Sequence, residues 1–355
     1  MKINLPSFIG TLLACLVLTS ALPARAQEKA VRINLGTLAP RGSVYHQALQ
    51  AMAEQWHKSP GGVKLVVYPD GTQGSEADMV RLMNVEALQA GLLTAVGLSK
   101  IEPGVVGLQY TPMMFRDLRE LDAVQEKLHP LLEKRLLDKG YVVLFWVDAG
   151  WIRYFSNQPL TVPEDLQRLK TFVWAGDVAQ MDMMRKAGYR PVGLETGDIL
   201  PGLKTGLIDT VAVPPIFALA GQLDINAPHM LDLNWAPLIG ACVVKQSAWQ
   251  KIPAATRAAL LEAAAKAGTD IQASSRKESD LAVAAMKKRG LKVHTITPEV
   301  EAKWRAGAEA LYPEIRGHMV PPDIFDEVTR LVKSYRAAPE KSTGSAAPAP
   351  AQKPS

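Results

Sequence analysis

Residues 150–215 read GWIRYFSNQPLTVPEDLQRLKTFVWAGDVAQMDMMRKAGYRPVGLETGDILPGLKTGLIDTVAVPP. A strand from Gly150 leads to Pro163-Glu164-Asp165, where proline suits a helix N-terminus. Lys170 to Val173 reads as a strand, and Val178 to Ala187 as a helix closed by Gly188. Thr196 to Lys204 reads as a helix closed by Gly206, and Leu207 to Val213 as a further strand. Strands alternating with helices specify an α/β fold with parallel pairing. The stretch offers no nucleophile–base pair and no metal-ligand cluster. It sets Arg153 near Trp151, Phe172 and Trp174, with Phe217 just beyond. A guanidinium offers forked donors that match a carboxylate, and aromatic rings offer apolar walls. That is what a pocket for a small molecule needs. The same Arg153 also fits a surface position at a strand end, and the three aromatics also fit an ordinary core.

The N-terminal half repeats the plan. Val31 to Leu35 alternates apolar and polar as a strand, and Ser43 caps a helix with Leu49, Met52, Ala53 and Trp56 on one face. Val63 to Tyr68 is a second strand, Glu76 to Ala90 a helix, and Ala95-Val96 the end of a third strand. Leu118 to Leu137 is helical. Tyr141 to Val147 is apolar on both faces, the pattern of a buried parallel strand. Pro253 to Arg289 is Ala-rich and helical throughout, with Gly268 its weak point; a helix this long can brace two domains. Thr297-Pro298-Glu299 starts another helix, and Pro321-Pro322 precedes the last. Two α/β halves facing each other leave a cleft at their strand ends, where ligands of such folds collect.

The two ends read differently. Met1 to Ala26 has a basic start, an apolar run from Phe8 to Leu22 and the small-residue site Ala24-Arg25-Ala26, which together make a secretory signal peptide. A lipoprotein-type cleavage before Cys15 is the competing reading. The tail from residue 336 to 355 is rich in Pro, Ala, Ser and Lys and too polar to offset its ordering entropy. The roughly 310 residues between them suffice for two domains of ordinary size.

Several chemistries are excluded by composition and spacing. Without Lys2 and Arg25 the formal charge of +5 falls to +3, and the basic residues are scattered, so nucleic acid is not a partner. Only Cys242 remains after processing, so no intrachain disulfide forms. The six histidines are dispersed without metal-ligand spacing. No nucleophile elbow, phosphate loop or dinucleotide fingerprint occurs. No catalytic residue, metal or cofactor is therefore assigned, and the chain is not read as an enzyme.

With these residues placed, the chain resembles the solute-binding subunits of TRAP (tripartite ATP-independent periplasmic) transporters over roughly residues 32–331. The resemblance is carried by Tyr68-Pro69-Asp70-Gly71 with Gly74 and Glu76, by Pro112-Met113-Met114-Phe115 and by Gly150 to Asn157. Asp165-Leu166, Leu169-Lys170, Leu203-Lys204-Thr205-Gly206 and Ile208-Asp209 complete it. It implies a periplasmic two-domain cleft protein, with 27–150 and 239–278 in the first domain and 151–238 and 279–335 in the second, that closes on a small organic ligand and docks on membrane subunits that import it. A binding protein that signals to a membrane receptor is the alternative. The family's ligand-carboxylate arginine follows a Leu-Lys pair by two positions, and Phe172 stands there in this chain. A family asparagine before a proline is replaced by Val213. Phe172 to Asp177 resembles a branch with an apolar cleft, in some members paired with a helical-repeat periplasmic partner. The candidate ligand-binding residues are thus Arg153, Trp151, Phe172, Trp174, Val213 and Phe217, and the expected ligand is an apolar or amphipathic organic acid.

Overall fold

The computed structural model describes residues 31–338. The signal peptide, Cys15 and residues 339–355 of the tail lie outside the described residues. Eleven strands, as described, form two sheets. The first has the order β2-β1-β3-β10-β4, built from β1 (Arg32–Thr37), β2 (Lys64–Tyr68), β3 (Ala90–Thr94), β4 (Tyr141–Trp151) and β10 (Pro237–Lys245). The second has the order β11-β9-β5-β8-β6-β7. Its strands are β5 (Arg153–Ser156), β6 (Lys170–Trp174), β7 (Arg190–Leu194), β8 (Thr210–Val213), β9 (His229–Leu231) and β11 (Lys292–His294). Each sheet carries helices and forms one α/β lobe.

In the first lobe β1 pairs in parallel with β2 and β3, as its strand–helix–strand grammar requires. The helix after β1, Val44–Lys58, is capped by Ser43, whose hydroxyl accepts from the His46 backbone N–H at 3.3 Å. Its buried face of Leu49, Met52 and Trp56 packs on the sheet, and the Trp56 indole donates to the Leu260 carbonyl at 3.1 Å. The helix expected from Glu76 ends at Asn84 and β3 ends at Thr94, with Ala95 and Val96 already in a helical turn. Glu86 adopts a left-handed φ of 59°, which breaks the helix there.

β4 departs from the parallel pairing its composition implies. It is an edge strand, antiparallel to β10. Its two apolar faces are nevertheless buried, because the long helix Ala254–Lys288 covers one and the helix Leu118–Asp138 the other. A two-sided apolar strand needs two covering layers, whatever the direction of its neighbour.

The chain crosses between lobes at Ile152 and again between β9 and β10. These two crossings are bonded to each other, Ile152 N–H to the Ala236 carbonyl at 2.8 Å and Trp235 N–H to the Ile152 carbonyl at 3.2 Å. The long helix makes a third crossing. Ile271 sits in the first-lobe core, while Ala282 and Met286 sit in the second. The last helix, Pro322–Ala337, does not belong to the second lobe, where the sequence reading groups residues 279–335. Its stripe of Ile324, Phe325, Val328, Leu331 and Val332 packs on the helix Leu118–Asp138 in the first-lobe core. Arg336 is ordered with it and donates to Glu120 at 2.6 and 3.0 Å, so the polar tail begins later than residue 336. An apolar stripe announces that a helix is buried but not against which partner.

Candidate functional site

The carboxyl ends of strands from both sheets point at one another. β1 ends at Thr37 and leads into Leu38, Ala39 and Pro40, and β3 ends at Thr94. Opposite them β6 ends at Trp174 and β8 at Val213, followed by Pro214 and the helix Pro215–Ala220. Between these ends lies a cavity of about 260 Å³. Leu38, Tyr45, Leu93 and Leu238 line it from the first lobe, and Trp174, Ile199, Val213 and Phe217 from the second. The Tyr45 and Phe217 rings stack across it with centroids 5.7 Å apart. Gly240 is needed at its wall, since a Cβ there would come within 2.7 Å of the Leu93 carbonyl oxygen. This is the interlobe crevice at the strand ends that such folds use for ligands.

The electrostatics of the wall are one-sided. Among the described residues its lining includes no Arg, Lys or His. The one ionisable carboxyl is Glu76, which accepts from the Thr94 N–H and hydroxyl at 2.6 Å each and from the Gly97 N–H at 2.9 Å. Burial raises its pKa above the usual carboxylate range, against those hydrogen bonds. Of the lining hydroxyls, that of Tyr45 is buried without a hydrogen-bond partner, and those of three threonines are engaged. Thr94 donates to Glu76, Thr196 accepts from the Trp174 indole at 3.2 Å, and Thr37 accepts from the Ala39 N–H at 3.1 Å.

The six residues singled out by sequence are placed as follows. Trp174, Val213 and Phe217 line the cavity. Phe172 is 4% exposed in the second-lobe core, edge-on to Trp174 at 5.1 Å, and lines a smaller adjoining chamber. Trp151 packs against the first-lobe core and is not part of the lining. Arg153 faces Val213 across the β5–β8 pair, but its guanidinium is paired with Asp232 and it does not line the cavity. The first-lobe wall of Leu38, Ala39, Tyr45 and Leu93 is absent from that set. The rule that ligands gather at the carboxyl ends of parallel strands, applied to β1 and β3, would have found it.

Around the site the described residues show no group of three metal-ligating side chains and no helix long and apolar enough to cross a membrane. Cys242 is a free, fully buried thiol that burial pushes far above its ordinary pKa.

Comparison with known proteins agrees with this geometry. A model of the family described as bacterial extracellular solute-binding protein, family 7, matches residues 35–317. The chain is 26% identical over 318 residues to the C4-dicarboxylate-binding periplasmic protein DctP of Rhodobacter capsulatus, covering 86% of this chain and 93% of that one. Among solved structures it resembles a TRAP periplasmic solute-binding protein from Ralstonia eutropha with bound (S)-2-acetolactate. That match has a TM-score of 0.79 at 18% identity and covers 86% of this chain and all of the other. A TRAP periplasmic solute-binding protein from Sulfurospirillum deleyianum with bound succinate matches with a TM-score of 0.77 at 19% identity, over 86% and 99% of the two chains.

Proposed function

Since the chain belongs to the bacterial extracellular solute-binding proteins of family 7 and is a periplasmic solute-binding subunit of the TRAP type, we propose that its cavity captures an apolar or amphipathic organic acid for import. The observation that carries this is the absence, among the described residues, of any cationic side chain from the cavity lining, with Phe172 and Val213 at the positions where the family resemblance leads one to expect polar ligand partners. A dicarboxylate entering the cavity would shed water from two charges and meet Glu76. Taking an ion out of water costs several kcal/mol unless a partner repays it, roughly the value of several buried methylenes. An apolar chain gains about 0.8 kcal/mol per methylene buried. The cavity has room for an apolar group, because about 150 Å³ is enough to admit benzene. The acid head group lies at the rim, where water still reaches it.

The same reading extends to partners. TRAP membrane subunits receive the loaded protein. The segment Phe172 to Asp177 adds a helical-repeat periplasmic partner to the proposal, tested by co-purification from periplasm.

Calorimetry with succinate, malate and sialic acid, beside medium-chain and aromatic monocarboxylic acids, tests the ligand class. Binding of the apolar acids with little or no heat from the dicarboxylates is expected. Sub-micromolar binding of a dicarboxylate, with none of the apolar acids bound, overturns it.

A further inference from the structure

We infer that Trp174 is the residue that sets ligand length, by partitioning the interlobe space into a main cavity and a rear compartment. The inference rests on the reading of the cavity as an apolar ligand site. Adjoining the 260 Å³ cavity is a chamber of about 60 Å³ with a mixed lining, apolar at Ile152, Phe172 and Met184 and polar at Gln109, Thr171 and Gln180. Among the described residues Trp174 is the single one that lines both. A second chamber of about 60 Å³ continues beyond the first, sharing Tyr154, Met184 and Trp235 with it. The indole therefore stands between a large apolar space and a smaller one of mixed polarity.

The wall is held lightly. Trp174 is half-buried at the end of β6 and packs against the cores of both lobes. Two oriented contacts fix its ring, the indole N–H to the Thr196 hydroxyl and the edge-to-face contact with Phe172. Both are neutral, and both come from the second lobe. A ligand chain growing from the cavity toward the rear meets this ring first. Each methylene up to that point adds about 0.8 kcal/mol, or roughly fourfold in affinity, and each one beyond it adds nothing unless the ring moves. The expected profile is a rise with chain length followed by a break. Removing the ring joins the compartments and moves the break to longer chains.

The test is calorimetric titration of straight-chain monocarboxylic acids, from hexanoate to tetradecanoate, into the mature wild-type protein and into Trp174→Ala. Wild type should show a break in affinity within the series. The variant should show it at least two methylenes later, with the longest acids bound about tenfold or more tighter than by wild type. Thr196→Val, which frees the indole without removing it, should blunt the break. Trp174→Leu replaces the Ala variant if that variant does not fold, with a shift in the same direction. An unchanged break in a folded variant overturns the partition while leaving the ligand class standing. Failure of every acid to bind either protein refutes the ligand class and the partition with it.

Discussion

Replacing Arg276 by methionine should destabilise the protein by about 3 kcal/mol, because it strands a buried carboxylate. Arg276 lies on the long helix and reaches Asp148 of β4 with Nε at 3.0 Å and Nη2 at 2.7 Å, and Asp122 of the helix Leu118–Asp138 with Nη1 at 2.9 Å. The Asp148 side chain is 0% exposed, whereas that of Asp122 is 45% exposed. Removing one member of a buried pair typically costs about 3–5 kcal/mol. Asp122 can turn to water, so its share of the loss is small. Asp148 keeps two neutral donors, the Gln272 amide at 2.9 Å and the Gly150 N–H at 3.0 Å, which places the loss at the lower end of that range. The diagnostic variant is the double one. Asp148→Asn in the Arg276→Met background removes the stranded charge and should recover about 2 kcal/mol. Urea unfolding followed by circular dichroism measures all four members of the cycle. A single-variant loss under about 1 kcal/mol, or a double variant no more stable than Arg276→Met, would refute the reasoning. The point bears on function, since this cluster fixes the lobe-spanning helix to β4 close to the crossing at Ile152.

Three further outcomes are expected. His129 stacks on Trp146 with ring centroids 4.4 Å apart, and burial lowers its pKa to about 4 from 6.5. The folded state therefore resists protonation. The stability this ring contributes is present above the unfolded value and is lost as pH falls from about 6.5 toward 4, by at most about 3 kcal/mol over that span. His129→Phe should keep the stacking and reduce the acid loss; an unchanged acid midpoint counts against this. Gly268 lies where the long helix crosses β4, and a Cβ there would sit 2.7 Å from Phe145 Cβ. Gly268→Ala should destabilise by about 1–2 kcal/mol even though alanine is the better helix former, and a rise in melting temperature would contradict the close approach. Asp177, at the start of the helix Val178–Lys186, accepts a hydrogen bond from Tyr110 of the first lobe, and burial raises its pKa. That raised value makes its contribution greatest at low pH and lost as pH rises through the folded pKa. Asp177→Asn can still accept from Tyr110, so it should remove this pH dependence and gain stability at neutral pH, read from melting temperatures across a pH series.

What the sequence made legible was local. Ser43 caps its helix, Pro163 opens another, and Gly206 ends a third in the left-handed conformation, all set within a few residues. Trp174 and Val213 were also within reach, because each sits at the carboxyl end of a strand of the α/β unit. Partnerships between distant segments were not legible. Arg153 is isolated in sequence, and its partner Asp232 lies 79 residues away. Arg276 and Asp148 are separated by 128 residues, and nothing near either announces the other. The antiparallel setting of β4 and the docking of the last helix on the first lobe depend on which elements arrive beside them, and periodicity carries no information on that.

An interlobe cavity whose described lining carries no cationic residue should hold a mostly apolar ligand. Native mass spectrometry of the protein purified from its own periplasm, with the released small molecule identified by fragmentation, tests this most directly. A bound molecule with a continuous apolar carbon portion and at most one carboxylate is expected. A stoichiometric dicarboxylate or sugar acid released from the protein would contradict it.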